Sequence, residues 1–110
     1  MSRSHLIAIA LLGLFSAGAL HAELPETFLK QYCYKCHGPD KQKAKRRFDT
    51  LPATIKDFRQ QEQWQEIVDQ LNLGEMPPED EEQPTQEERL VAVETMTEAI
   101  AGAREKFAGT

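Results

Sequence analysis

The segment Cys33-Tyr34-Lys35-Cys36-His37 sets two thiols three residues apart and places an imidazole directly after the second. This is the C-x-x-C-H pattern of c-type haem attachment. The spacing has a physical reason. Two thiols on one helical turn can each add to one vinyl group of the same porphyrin. The next residue is then held under the ring, within reach of iron, so that ring, orientation and proximal ligand are fixed together. Other chemistries of the C-x-x-C pair stay open. A redox dithiol of the thioredoxin kind belongs in a βαβ setting, and no strand pattern is visible along the chain. A structural zinc site wants four ligands, so Cys33, Cys36 and His37 would need a carboxylate to join them. A Cys33–Cys36 disulfide would suit an oxidising compartment, but it closes too short a loop to add much stability.

The opposite side of such an iron can be narrowed by elimination. His5 and His21 fall in a segment expected to be removed, which leaves His37 as the one histidine of the mature chain. A bis-histidine haem within one chain is therefore excluded. The sulfur candidates are Met76 and Met96. Met96 falls inside a helical pattern beside Val93 and Ile100, the usual setting of a core-filling methionine. Met76 follows Gly74 and precedes Pro77-Pro78, which bar a helix there and let a loop present one thioether inward. An open position or a lysine ligand remain alternatives. Histidine–methionine ligation favours reduced iron and raises the potential. A six-coordinate iron also leaves no position for substrate, so the expectation is electron transfer and not catalysis.

The elements that must position these groups follow from periodicity and punctuation. A chain of 110 residues holds one domain. Arg3 and His5 give a short basic start, Leu6 to Leu20 run almost wholly apolar, and Leu20-His21-Ala22 ends on a small residue. That order reads as a secretory signal peptide over residues 1–22, with a retained anchor as the alternative. An apolar run of about 15 residues is short for a bilayer span of about 20. The expected domain is 23–110, exported and periplasmic or the equivalent, with no membrane insertion after cleavage and peripheral association left open. Cleavage removes only Arg3 from 13 Lys+Arg and nothing from 18 Asp+Glu, which moves the net charge from −5 to −6. That balance is not a nucleic-acid binder's.

The first helix is predicted over 23–37, with Pro25 in its first turn, Phe28, Leu29, Tyr32 and Cys36 near one face, and Gly38-Pro39 as its stop. Residues 39–63 read as a polar loop with short helical turns, anchored by Phe48, Leu51, Ile55 and Phe58. A second helix is predicted over 62–73, where Trp64, Ile67, Val68 and Leu71 form one apolar stripe and Gly74 ends it. Residues 75–84 form an acidic, proline-broken loop. A third helix starts at Thr85, whose spacing to Glu88 is that of a capping box, with Leu90, Val93, Thr97, Ile100 and Phe107 as its inner face. The fold class is all-α, three main helices.

The strings Phe28-Leu29, Tyr32 to Pro39, Arg47-Phe48-Asp49-Thr50-Leu51 and Trp64 through Gly74-Glu75-Met76-Pro77-Pro78 together resemble the planctomycete-type cytochrome c domains, and more broadly class I cytochrome c. The likeness covers about residues 26 to 100. It departs at Ala44-Lys45-Arg46, where such domains tend to carry glycines. The resemblance implies a small helical fold wrapped round one covalent haem c, attached at Cys33 and Cys36, with His37 and Met76 as axial ligands. It also suggests Arg47 as a propionate partner, against a solvated basic residue. Trp64 is expected near the haem rim or in the core, its indole N–H seeking a partner. Domains of this kind often occur fused to larger modules; this chain is expected to act as a free carrier or as a subunit of a redox complex.

Basic residues cluster after the attachment motif (Lys35, Lys41, Lys43, Lys45, Arg46, Arg47), and acidic ones around Met76 (Glu75, Glu79, Asp80, Glu81, Glu82, Glu87, Glu88). Opposed patches could steer a redox protein partner; solvated loops are the alternative. The competing functions are a haem-dependent enzyme or a gas or redox sensor with a displaceable distal ligand, and a haem-free thiol module.

Overall fold

A computed structural model describes residues 24–108 together with Gly13. The expected signal peptide, with His5 and His21, lies outside the described residues apart from Gly13. Three helices make up the described chain: α1 over Glu26–Tyr32, α2 over Phe58–Leu73 and α3 over Gln86–Ala108, with a short 3-10 turn at Lys43–Lys45 between the first two. Among the described residues there are no strands, only an isolated bridge between His37 and Gln42. The all-α expectation holds. No helix of the described residues is long and apolar enough to cross a membrane.

The first helix is shorter than its pattern predicts. It closes at Cys33, whose φ of −121° leaves helical geometry. The chain then makes one separate turn, closed by His37 N donating to Cys33 O at 2.9 Å. The two cysteines thus stand on a turn of their own, offset from α1. The second helix starts four residues earlier than expected, because Asp57 caps it: its carboxylate accepts from Gln60 N at 2.8 Å, satisfying one orphan donor of the first turn. Gly74, at φ +71°, ends α2 as expected. The third helix opens on a reciprocal capping box, with Thr85 N donating to Glu88 Oε1 and Glu88 N to Thr85 Oγ1.

The core joins Leu29 of α1 to Trp64, Ile67, Val68 and Leu71 of α2, and to Ala92, Met96, Ile100 and Ala103 of α3, with Ile55 from the preceding loop. Each large side chain buried this way stabilises the fold by about 1.5–3 kcal/mol. The buried face of α3 differs from the expected one. Leu90 is 57% exposed and Thr97 is exposed, while the stripe 92, 96, 100 and 103 faces α2. The two alanines let the helices approach closely around Met96 and Ile100, and their small size hides them from a search for large apolar residues.

Candidate functional site

The turn after α1, the C-terminal half of α2 and the loop after Gly74 enclose a cavity of about 390 Å³. That is within the range of small-molecule and cofactor sites. Cys33, Cys36 and His37 line it from the turn, Ile67 and Leu71 from α2, and Met76 with Pro77 from the loop. Phe48 closes the side next to His37. Two chain segments about forty residues apart thus bring two thiols, an imidazole and a thioether to one largely apolar space.

The imidazole is buried and held by two contacts. His37 is 8% exposed. Its Nδ1 lies 3.1 Å from the Arg46 carbonyl, and its ring packs on Phe48 with centroids 4.7 Å apart. Phe48 N returns a hydrogen bond to His37 O at 2.8 Å. A carbonyl only accepts, so Nδ1 carries the proton and donates. This tautomer leaves Nε2 with its lone pair bare, the form in which an imidazole binds a metal. Gly38 lets the turn close. A Cβ on it would stand 2.2 Å from Tyr34 O, which no side chain can occupy without moving the backbone.

The thiols are free. Burial pushes Cys33 up to about 12, and the neighbouring Cys36 adds to the rise. A reactive dithiol relies on the opposite shift. Among the described residues no three His, Cys, Asp or Glu side chains converge as a metal site, so a zinc site of the kind weighed from the sequence lacks its ligand set. A haem asks less of the protein: two thiols, one free imidazole nitrogen, one further ligand and apolar walls. The residues present meet that demand.

Met76 is 37% exposed. Its loop is held by side chains. Arg89 of α3 donates from Nη1 to Met76 O at 3.0 Å and to Leu71 O at 3.2 Å, and from Nη2 to Gln83 Oε1 at 3.3 Å. Gln83 Nε2 donates in turn to Pro78 O at 2.8 Å. The outer end of the loop meets the attachment side. Lys35 pairs with Glu81 at 2.7 Å and Gln31 donates to Glu82 at 3.2 Å. One turn further on, the Tyr32 hydroxyl donates to Glu88 at 2.7 Å. This bond, with burial behind it, raises Tyr32 to about 12 and holds Glu88 below the usual carboxylate range.

Met96, the other sulfur candidate, is fully buried in the core and is not among the residues lining the cavity. Trp64 is likewise a core residue, 2% exposed, and its indole N–H finds no protein partner. Arg47 does not line the cavity either. Its guanidinium is taken up by Asp49, at 2.8 and 3.0 Å, which lowers Asp49 from the usual range. The basic residue on the rim is Arg46, paired with Glu66 through Nε at 2.9 Å and through Nη2; this holds Glu66 low. Arg46 is in extended conformation, where consecutive side chains point to opposite sides, so Arg46 facing the cavity turns Arg47 away. Of the six basic residues clustered after the motif, Lys35, Arg46 and Arg47 are engaged in ion pairs.

Residues 33–80 match the family model described as planctomycete cytochrome C. Neither a curated protein nor a solved structure matches the chain. The matched span begins at Cys33 and runs past Met76, so it contains Cys33, Cys36, His37 and Met76, all of which line the cavity. The match supports a planctomycete-type cytochrome c domain over residues 33–80, and a domain of that family suggests a haem-binding electron-transfer protein.

Proposed function

We propose that this protein is an exported monohaem cytochrome. Cys33 and Cys36 would hold the haem through thioether bonds, and His37 Nε2 and Met76 Sδ would ligate its iron. It passes single electrons between redox proteins, as a free carrier or as a subunit of a larger complex. Bound there, the haem supplies a one-electron iron couple. The protein's own residues do the rest. The Arg46 carbonyl keeps the His37 tautomer and orientation. Phe48 holds the ring plane. Ile67, Leu71 and Pro77 give the cavity apolar walls, and low polarity around the iron together with the thioether favours the reduced state. The observation that carries this reading is the meeting of Cys33, Cys36, His37 and Met76 on one cavity. A redox titration of the haem-loaded protein tests it: a single reversible one-electron wave with a low-spin spectrum in both states is expected. A high-spin ferrous form would count against it.

The exposure of Met76, 37%, favours a second reading, in which the distal thioether leaves to admit a small ligand and the protein acts as a sensor or haem enzyme. Carbon monoxide binding to the untreated reduced protein separates the two. Slow or absent binding supports the carrier, and rapid saturation the alternative.

A further inference from the structure

The loop that carries Met76 is poorly tied by its own backbone. Met76 N lies 3.4 Å from Gln70 O, at the long limit of a hydrogen bond, and the two residues that follow are prolines with no N–H to give. What joins the methionine end of the loop to α3 is Arg89. One nitrogen bridges the Met76 and Leu71 carbonyls, and the other reaches Gln83, which itself holds Pro78. The guanidinium thus ties the end of α2, the methionine itself and the loop exit to α3.

The placement has an electrostatic logic. Arg89 sits just after the first turn of α3, where the positive end of the helix dipole disfavours a cation. Glu87 and Glu88 before it are the residues that suit that position. Its compensation lies across the gap. The Leu71 carbonyl is one of the last four of α2, at the negative end of its dipole, where its other donor is Gly74 N at 3.2 Å. A guanidinium stays charged at any working pH, and neutral carbonyls do not titrate, so this tie does not depend on pH. The ion pair at the loop's other end, Lys35–Glu81, differs. Lys35 is 76% exposed, and such pairs contribute little and are screened by salt.

We propose that Arg89 is the positioning residue for the distal ligand: by gripping the Met76 carbonyl it sets where the thioether stands and how rarely it leaves the iron. The inference rests on the His37/Met76 reading and adds to it a residue that does not itself line the cavity. The test uses the haem-loaded protein, with three readouts: the weak red charge-transfer band of Met–iron bonding in the oxidised form, the reduction potential, and the rate of carbon monoxide binding to the reduced form. Arg89→Ala removes a charged donor from two carbonyls, so ligand binding should quicken by about tenfold, with a weakened band and a lowered potential. Arg89→Lys keeps charge and donors but not the fork. It should restore the band and bind carbon monoxide at a rate between those of Arg89→Ala and the wild type. Glu98→Gln, an exposed change on α3 away from the cavity, should leave all three readouts at their wild-type values.

A wild-type band and rate in Arg89→Ala, even with a lower thermal midpoint, would make Arg89 a structural residue only and overturn the proposal. If Arg89→Ala does not fold, the comparison rests on Arg89→Lys, where a wild-type rate overturns it. Met76→Ala keeps the two levels apart. If the wild type itself lacks the band and matches Met76→Ala, the ligand reading fails and takes the inference with it. If the band is lost in Met76→Ala but intact in Arg89→Ala, the inference alone fails.

Discussion

Exchanging Met76 and Met96, each in turn, for alanine should split stability from ligation. Met96 is fully buried between α2 and α3. Truncation removes three side-chain atoms. At about 0.8 kcal/mol per methylene-sized group that is roughly 2.4 kcal/mol of lost transfer free energy. A residual cavity of roughly 50 Å³ adds about 1.2 kcal/mol. The sum, about 3.5 kcal/mol, lies inside the range of about 2–5 kcal/mol found for buried methionine to alanine. A domain this small has a total of about 4–13 kcal/mol, so the loss is large. With a urea m-value of about 1–1.5 kcal/mol/M the midpoint should fall by roughly 2.3–3.5 M, read by far-ultraviolet circular dichroism of the haem-loaded protein. The Met–iron band should be unaltered. Met76→Ala should do the reverse. Its side chain is partly exposed already, so lost packing costs below about 1.5 kcal/mol, while the band disappears and the potential drops. A Met96→Ala protein that loses the band, or a Met76→Ala protein that keeps it, would refute the assignment of the two sulfurs.

Other outcomes follow from single contacts. Gly38→Ala drives a Cβ onto Tyr34 O and should cost about 1–3 kcal/mol, as overpacking does; a denaturation midpoint equal to the wild type would show that the turn can open freely. In a Tyr34→Phe background, Tyr32 should ionise near 12, and Glu88→Gln should return it toward 10 in a spectrophotometric titration. The signs differ for the two partners. The raised Tyr32 contributes stability below pH 10 that is lost between 10 and about 12. The lowered Glu88 contributes above its usual pKa of 4.5, and that is lost as pH falls through its folded value. Arg47→Gln should leave the potential and spectrum unchanged, since its guanidinium is spent on Asp49; a shifted potential in a redox titration would restore Arg47 to the haem's surroundings.

The parts of the fold that were legible in the sequence are those where side-chain size carries the signal. The stripe of Trp64, Ile67, Val68 and Leu71 marks α2 because large apolar residues recur with helical period, and Thr85 with Glu88 marks the start of α3 because a capping box is local. What stayed hidden depends on small residues or distant partners. Phe58, 63% exposed, lies outside the stripe, so the start of α2 is set by Asp57, a cap that no apolar pattern reveals. Ala92 and Ala103 bury a face that looks unremarkable beside Leu90. At the site, the attachment motif and the Met76 loop are legible because their residue types are rare and their spacing is short. The choice between Arg46 and Arg47 is not, since it turns on which side of an extended strand of chain faces the cavity. Arg89 had one sequence signal: a cation close behind the acidic first turn of a helix, against the dipole. Its three acceptors lie 6, 13 and 18 residues away, where no local pattern reaches.

The central claim is that this cavity holds one haem covalently. It is tested most directly by exporting the full chain from a host with haem-attachment machinery and recording visible spectra, oxidised and dithionite-reduced, before and after denaturing extraction. A c-type reduced spectrum that survives extraction in the wild type, and is lost when Cys33 and Cys36 are both replaced by alanine, is the predicted result. A wild-type protein that folds and emerges from a competent host without extraction-resistant haem would contradict the account.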